Sequence, residues 1–286
     1  MYTKGMIASF YALTTLHPGS GNSLSYVDLP VQREKHTSFP VIVGSSVKGV
    51  IREYASRKWN NDEKVASLFG NEDNGDIASK ISFTDARILL YPVRSVRGIF
   101  SYVTCPYVLK RFLNDIEVLA NITDNFKNTI SSLNISDDRI MIDKDLSELK
   151  IENNLVGIEE FLFSIDPENK IRIIIEELEK YLSIDKKDLG SRLSIVSDSV
   201  FTDLVNYAIE VRTRNKIDQT KGTAEDKALF VVELIPSEAV FYSLILLKKE
   251  KESSMEEIKV LLDSQVIQVG GDETIGNGLV RVKIQV

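Results

Sequence analysis

The sequence changes from a strand pattern to a helix pattern within the segment Val41-Ile42-Val43-Gly44-Ser45-Ser46-Val47-Lys48-Gly49-Val50-Ile51-Arg52. The apolar run ends at Gly44, and apolar side chains then recur at the spacing of one helix face as far as Ala55. Either Ser45 or Ser46 can cap the start of this helix, because a serine oxygen accepts a hydrogen bond from the amides of the first turn. The segment therefore predicts a short strand followed directly by an amphipathic helix.

Further strand and helix patterns surround this unit. Strands are predicted over Met6–Leu16, Ile81–Leu90, Leu229–Leu234 and Ala239–Leu247, and in the alternating stretch from Val280 to Val286. Helices are predicted over Asp62–Phe69, Tyr107–Leu119, Ile171–Leu182 and Asp198–Val211, and from Ser253 to Leu262. The order strand, helix, strand, insertion, strand, helix, strand indicates an α+β fold of the ferredoxin-like kind with a large insertion.

Two stretches do not fit a simple strand or helix pattern. Asn121–Asn169 is polar, rich in Asn and Asp and weakly periodic, which predicts a surface insertion. Arg212–Ala228 is polar, carries both signs of charge and lies between a predicted helix and a predicted strand. It is interpreted as a projecting arm or hairpin.

The charge is unevenly placed along the 286 residues. The formal net charge is −7, and an acidic total argues against a simple nucleic-acid coat. However, residues 114–189 hold 18 acidic and 9 basic residues, whereas 86–112 hold five basic residues and no acidic one. The stretch 31–58 is also basic, so one face of the protein can still hold an anion.

The residue counts exclude several classes of protein and site. Cys105 is the single cysteine and there are two histidines, which excludes an intrachain disulfide, a multi-cysteine zinc site and a histidine-rich metal centre. No apolar run approaches the roughly 18 residues of a membrane span, and the N-terminal residues fit a strand better than a signal peptide. The lone thiol fits a reducing compartment, so we expect a cytoplasmic protein without a membrane partner.

The helix after Gly44 is the first candidate site. Lys48 and Arg52 are four residues apart and project from one side of it. The helix start offers backbone amides and the hydroxyls of Ser45 and Ser46, while Gly49 allows a close approach. Together these groups predict a phosphate site; the alternative is an ordinary capped helix with solvated basic residues.

The second candidate is the loop Gly270-Gly271-Asp272-Glu273-Thr274-Ile275-Gly276-Asn277-Gly278. Gly270, Gly271, Gly276 and Gly278 expose backbone amides, which suits contact with a phosphate chain. The loop lacks the Lys-Ser/Thr pair of a phosphate-binding P-loop, and glycines between strands also serve ordinary turns.

Asp28 is the third candidate, in a loop that also carries several hydroxyl groups and His36. A single aspartate can hold Mg²⁺ through one ligand plus waters, or orient a proton transfer. The alternative is an aspartate that stabilises a turn. His17 is predicted to contact RNA or to support the turn at Pro18, ahead of a role as a base.

Basic and aromatic residues alternate after Pro92. Arg94 and Arg97 are followed by Phe100 and Tyr102, the combination with which single-strand binders hold phosphates and stack bases. A surface loop with one or two buried aromatic residues is the alternative.

The ordered set of motifs resembles the RAMP superfamily, and within it the Cmr-type backbone subunits of type III-B CRISPR effector complexes. The resemblance covers both ends of the chain and little of 121–193. The motifs that carry it are His17-Pro18-Gly19-Ser20-Gly21, Val27-Asp28-Leu29-Pro30-Val31-Gln32-Arg33-Glu34, Phe39-Pro40-Val41-Ile42, Gly44 to Arg52, Asp85-Ala86-Arg87, Pro92-Val93-Arg94-Ser95, Thr104-Cys105-Pro106 and the C-terminal glycine-rich loop.

The resemblance implies one RAMP domain over 1–286. An RRM-like palm would comprise about 1–113 and 229–286, with an inserted helical region over about 114–211 and a projecting thumb over about 212–228. Several copies would stack head to tail into a filament along a guide RNA, together with other effector subunits, in antiviral defence. The helix of Lys48 and the glycine-rich loop would hold the guide backbone without reading bases.

The resemblance also implies an activity. Asp28 matches the acidic residue at which similar subunits cut target RNA at regular intervals, in a reaction that depends on a divalent metal, expected to be Mg²⁺. The alternative is a non-catalytic RNA-binding scaffold in the same kind of complex. Asp272 and Glu273 depart from an ideal phosphate loop, because their carboxylates would repel RNA unless they point away.

Overall fold

The computed structural model describes residues 2–23, 26–71, 77–168, 170–215, 217–218, 223–224, 229–248 and 252–285. The strands in these ranges are β1 (Tyr2–Ala12), β2 (Val41–Ile42), β3 (Ile81–Phe83), β4 (Ala86–Arg94), β5 (Phe100–Thr104), β6 (Arg139–Ile142), β7 (Leu155–Ile158), β8 (Phe161–Ile165), β9 (Leu193–Ile195), β10 (Glu210–Arg214), β11 (Ile217–Asp218), β12 (Thr223–Ala224), β13 (Phe230–Leu234), β14 (Val240–Lys248), β15 (Val266–Gln268) and β16 (Leu279–Gln285). The helices are α1 (Gly44–Trp59), α2 (Asp62–Phe69), α3 (Pro106–Ile116), α4 (Asp124–Ser131), α5 (Ile171–Tyr181), α6 (Lys186–Arg192), α7 (Asp198–Tyr207) and α8 (Glu252–Leu262). None of these helices combines the length and apolar character that a bilayer crossing requires.

The palm is a four-stranded antiparallel sheet in the order β16-β1-β14-β4. Helix α1 lies between β1 and β4 in the chain and α8 between β14 and β16, which is the ferredoxin-like arrangement that the sequence predicted. Strand β16 alternates as expected, since Val280, Val282 and Ile284 are buried and Arg281 is exposed. Val47 and Ile51 bury the inner face of α1.

Two predicted elements differ in the structure: one strand is interrupted and one helix is shorter. The strand predicted over Ile81–Leu90 is broken at Thr84, where β3 ends and β4 begins two residues later. The Thr84 hydroxyl accepts the Leu244 amide at 2.9 Å, so a side chain replaces a backbone partner at the break. The helix predicted over Asp198–Val211 ends at Tyr207, because the chain turns there into β10.

The stretch interpreted as a surface insertion contributes buried residues to the hydrophobic core that it shares with the palm. Strands β5, β9, β6, β8 and β7 extend the palm sheet beyond β4. Helix α6 packs against β5 and β9, α5 packs against β1 and β16 of the palm, and α4 packs against α3 and α5. Phe126, Ile140 and Phe163 are almost fully buried there. The prediction of a surface insertion is therefore wrong for this stretch: strands of three to five residues give too short a period to detect.

The predicted arm corresponds to a hairpin whose base is described. Strand β10 pairs antiparallel with β13, from Glu210 opposite Leu234 to Arg214 opposite Phe230. A shorter pair, β11 with β12, follows further out. Residues 216, 219–222 and 225–228 of the predicted arm lie outside the described residues.

Candidate nucleic-acid interface

Helix α1 is capped by a residue from outside its own segment. The Gly44 amide donates to Asp85 Oδ1 at 2.7 Å, and Val43 is the N-cap residue. The prediction that Ser45 or Ser46 caps the helix is therefore wrong. Within the described ranges neither serine hydroxyl has a hydrogen-bond partner, and Ser45 is exposed. Both hydroxyls can thus face a ligand beside the helix start.

The start of α1 approaches another strand closely. A Cβ atom on Gly44 would lie 2.6 Å from the Phe83 carbonyl oxygen, so only glycine fits. This contact fixes the end of the helix against the β3–β4 turn that supplies Asp85.

The exposed side of α1 has two flanks. Lys48 and Arg52 lie on one of them, half-buried rather than turned into the core, as predicted from their spacing. In the part of the chain that the structure describes, Lys48 forms no ion pair or hydrogen bond. Gly49 is exposed, with open space around the position of a Cβ atom. A cation without a partner beside an open backbone is suited to an anionic chain.

The glycine-rich loop borders the other flank of α1. A cleft of about 410 Å³ separates them, lined from the helix by Val50 and Tyr54 and from the loop by Gly270, Glu273 and Gly276. The Tyr54 hydroxyl donates to Gln265 Oε1 at 3.1 Å, which ties α1 to the segment before β15. The two phosphate-site candidates thus both adjoin α1 but on opposite flanks: the loop borders Val50 and Tyr54, and Lys48 and Arg52 lie on the other side.

The loop keeps its shape through left-handed backbone positions. Gly270, Asp272, Gly276 and Gly278 have φ between 67° and 90°. A Cβ atom on Gly278 would lie 2.5 Å from the Val269 carbonyl oxygen, so this glycine is required by space as well as by φ.

His17 joins the glycine-rich loop to the hairpin formed by β10 and β13, which is called the thumb hairpin below. Its carbonyl oxygen accepts the Gly271 amide at 2.9 Å, and its Nδ1 lies 2.9 Å from the Glu233 carbonyl oxygen. A carbonyl can only accept, so Nδ1 carries the proton and the other ring nitrogen of the neutral ring is an acceptor. These contacts favour the supporting role for His17.

Gln32 joins the His17 turn to the start of α1. Its side-chain Nε2 donates to the Gly19 carbonyl at 2.9 Å, and its Oε1 accepts the Val43 amide at 3.3 Å. Its own amide donates to the Pro18 carbonyl at 2.8 Å. Sequence reasoning placed Gln32 only in a polar loop, since its partners are distant along the chain.

Asp28 is held against the thumb hairpin. Its Oδ2 accepts the Val231 amide at 2.7 Å, and its own amide donates to the Val231 carbonyl at 3.1 Å. The Glu233 amide donates to the Leu29 carbonyl at 3.0 Å. Oδ2 thus has a structural role, in line with the alternative of an aspartate that stabilises the local backbone. Oδ1 has no hydrogen bond within the described ranges.

The negative charge of the glycine-rich loop is partly compensated. Asp272 pairs with Arg214 of β10 at 2.7 Å, whereas Glu273 is exposed. Arg57, beside the cleft, pairs with Glu53 at 2.6 Å. The loop therefore offers its backbone, not a cationic side chain, to a ligand.

Arg94 and Arg97 lie apart from this surface. Arg94 is seven residues beyond Arg87, the partner of Val41, so it lies about 23 Å further along β4. Its guanidinium pairs with Glu159 at 3.3 Å, and Arg97 donates to the Lys150 carbonyl at 3.4 Å. The two arginines contact the insertion rather than the loops around Asp28.

The aromatic residues after Arg97 are also engaged in the fold. Tyr102 is buried, and the Arg192 guanidinium covers the Phe100 ring at 4.9 Å. Burial raises the pKa of Tyr102 to about 12. Phe100 and Tyr102 therefore fit the alternative interpretation, a surface loop with one or two buried aromatic residues, better than a base-stacking role.

Asp28 could bind a divalent metal only together with ligands from RNA and water. Within the described residues no group of three His, Cys, Asp or Glu side chains could hold a metal ion. Asp28 offers one carboxylate oxygen, and Mg²⁺ commonly binds through one or two carboxylates while water and phosphate supply the rest. A metal here would therefore need RNA phosphate to complete its ligands.

Comparison with known proteins extends over nearly the whole chain. The sequence model of the RAMP superfamily matches residues 9–281. The chain is 38% identical to the CRISPR system Cmr endoribonuclease Cmr4 of Pyrococcus furiosus over 292 residues, which cover 99% of this chain and 96% of that protein.

Solved structures agree with the sequence comparison. The crystal structure of oligomeric Cmr4 from Pyrococcus furiosus matches with a TM-score of 0.78 and 33% identity, covering 99% of this chain and 98% of that chain. A chain of the type III-B Cmr-beta complex bound to cognate target RNA, solved by cryo-electron microscopy, matches with a TM-score of 0.80 and 26% identity over 99% and 98%.

Proposed function

The chain belongs to the RAMP superfamily and, within it, to the family of Cmr4 subunits, and from this premise we propose that it is the backbone subunit of a type III-B CRISPR ribonucleoprotein. It binds guide RNA along the spacer and cleaves complementary target RNA at regular intervals. Its partners are guide RNA, target RNA, other effector subunits and further copies of itself in a head-to-tail filament. A heterologous contact of this kind is open-ended, so the copies can follow the length of an RNA.

The observation that carries this proposal is the continuous surface formed by α1, the His17 turn, the Asp28 loop and the glycine-rich loop. It combines Lys48, which has no partner among the described residues, the hydroxyls of the exposed Ser45 and the partly buried Ser46, and a glycine-lined cleft. These groups contact phosphate and ribose and do not read base edges, so binding is independent of sequence. Sequence-independent binding is required because the guide sequence differs from one complex to the next.

Asp28 is the residue that we expect to carry cleavage. The reaction is attack of a ribose 2′-oxygen on the adjacent phosphorus, with loss of the 5′-oxygen of the next nucleotide. Oδ1 of Asp28 would orient or accept the 2′-hydroxyl proton, while Oδ2 stays on the Val231 amide. A divalent metal bound between Asp28 and RNA would stabilise the negative charge on the phosphate.

The second candidate is an RNA-binding scaffold whose target is cut by a partner. It is favoured by the Asp28–Val231 hydrogen bond, which is a sufficient structural reason for this aspartate. A cytoplasmic location is proposed for either function, since Cys105 is a buried free thiol.

Replacement of Asp28 separates the two functions. Asp28→Asn keeps an oxygen for the Val231 amide, so we expect the fold and guide binding to persist while guide-dependent target cleavage falls about 100-fold or more. The measurement is target cleavage by complexes assembled with each variant, with and without Mg²⁺. Asp263→Asn, which removes a carboxylate remote from this loop, is the matched control. Undiminished cutting by Asp28→Asn complexes would favour the scaffold.

A further inference from the structure

One salt bridge joins the thumb hairpin to the glycine-rich loop. Arg214 Nη1 of β10 lies 2.7 Å from Asp272 Oδ2. The two side chains are only 20% and 27% exposed, so water screens this pair less than an open surface pair. The contact connects the two parts of the molecule that border the proposed RNA surface.

The loop holds Asp272 in place. Its φ is 67°, and its carbonyl oxygen accepts the amides of Ile275 at 3.2 Å and Asn277 at 3.3 Å. Asn277 is buried and accepts the Thr15 hydroxyl at 2.8 Å. The backbone of Asp272 is therefore fixed within the glycine-rich loop, and an unpaired carboxylate in this loop would repel phosphate.

The same hairpin also holds Asp28. Arg214 pairs across the strands with Phe230, and the next residue, Val231, donates its amide to Asp28 Oδ2. One strand of the hairpin thus contacts the glycine-rich loop and the other contacts the Asp28 loop. A shift of the hairpin would change the distance between the two loops.

We infer that Arg214 is a positioning residue for this RNA surface: it neutralises Asp272 beside the guide phosphates and so lets the glycine-rich loop face the RNA. The inference rests on the proposed function, because it assumes that guide RNA passes along the loop. Arg214 acts through Asp272 and does not itself bind phosphate.

Charge rescue tests this inference. Arg214→Gln leaves Asp272 uncompensated, and we expect the affinity for a labelled single-stranded RNA to fall on the order of three- to tenfold at low salt. Asp272→Asn, which leaves the Arg214 cation uncompensated, should keep or raise this affinity, and the double variant Arg214→Gln/Asp272→Asn should stay within about twofold of the unmodified chain. Arg212→Gln is the matched control, because Arg212 lies on the same strand and pairs with Glu210 at 2.7 Å instead of with the loop.

Rescue distinguishes neutralisation from the other roles that an arginine could have. A double variant as weak as Arg214→Gln would mean that Arg214 does not act by neutralising Asp272, which overturns the inference. Equal effects of Arg214→Gln and Arg212→Gln would overturn it as well. Thermal unfolding of every variant identifies any loss of fold. Such a loss would not be reversed by adding Asp272→Asn to Arg214→Gln.

The unmodified chain separates this inference from the proposed function. If it fails to bind RNA in this assay, the proposed function fails with it. If it binds RNA and Arg214→Gln binds equally well, only the role of Arg214 is refuted.

Discussion

At the scale of single residues, the proposed RNA surface depends on where charges are paired. Asp272 has Arg214 and Arg57 has Glu53, whereas Lys48 has no partner among the described residues. A net charge of −7 therefore says little about this surface. The local balance beside α1 decides whether an RNA backbone is attracted.

Charge reversal at Lys48 tests this balance. Lys48→Glu should weaken guide binding roughly tenfold at about 0.1 M salt, and equally for every RNA sequence, because a phosphate contact carries no sequence information. The slope of log affinity against log salt should become shallower by about 0.7, the value for one single-strand phosphate contact. Binding titrations at several salt concentrations measure both quantities.

Lys58→Glu is the control for this prediction, since Lys58 lies in the last turn of the same helix, ten residues away. It makes the same change in net charge and should have a much smaller effect. A loss that is restricted to some RNA sequences would contradict the proposed role of Lys48.

At the scale of elements, the sequence predicted those helices and strands whose hydrophobic period is visible within their own residues. Helix α2 covers the predicted residues Asp62–Phe69, and α3 (Pro106–Ile116) begins one residue before the predicted Tyr107 and ends three residues before the predicted Leu119. The C-terminal strand and the ferredoxin-like order are also confirmed. Each of these elements has a period or an end signal within its own residues.

Contacts between distant segments could not be predicted in this way. Asp85 caps α1 from 41 residues away, and Gln32 reaches Val43 through its side chain. The Arg214–Asp272 pair spans 58 residues. The sequence raised the question of the Asp272 charge, but only the fold shows its partner. The placement of Arg94 on the insertion also depends on the fold, because Glu159 is 65 residues away.

Two glycines of the glycine-rich loop allow the effect of a steric clash to be distinguished from the effect of a positive φ. Gly276 and Gly278 both have positive φ, but a Cβ atom would meet nothing at Gly276 and would clash at Gly278. Gly276→Ala should cost about 1 kcal/mol of unfolding free energy, and Gly278→Ala about 3 kcal/mol or more. Denaturant unfolding measures both. Equal costs would show that the close approach at Gly278 does not constrain the loop.

The ion pair between Asp143 and Arg172 joins the end of β6 to α5 in the insertion. The bidentate hydrogen bonds from Arg172, at 2.7 and 2.9 Å, lower the pKa of the fully buried Asp143 carboxyl. Because the folded pKa is lower than the unfolded one, the charged form stabilises the fold above about pH 4, and this stabilisation is lost as the pH falls through the folded pKa.

Asp143→Asn should therefore reduce the unfolding free energy by about 2 kcal/mol at neutral pH, and the difference from the unmodified chain should shrink below about pH 4. Unfolding measured across this pH range checks the sign. Asp145→Asn is the control: Asp145 also contacts Arg172 but is 73% exposed, so its loss should cost less than about 1 kcal/mol. A pH-independent effect of Asp143→Asn would contradict this account.

At the scale of the whole molecule, the acidic and the RNA-facing parts are separate. The palm supplies α1 and the glycine-rich loop, and the thumb hairpin lies between that loop and Asp28. The insertion extends the sheet on the other side of β4 and contains the acidic stretch 114–189. We therefore expect an RNA backbone to follow the palm and the thumb hairpin and to avoid the acidic side chains of the insertion.

Mapping the protein segments that cross-link to a bound guide RNA tests this arrangement most directly. The measurement is photochemical cross-linking of the assembled, guide-loaded complex, followed by identification of the cross-linked peptides of this chain. We predict cross-links in 17–33, 44–52 and 270–278. Cross-links concentrated instead in the Arg94–Phe100 hairpin or in 114–189 would contradict the proposed RNA surface.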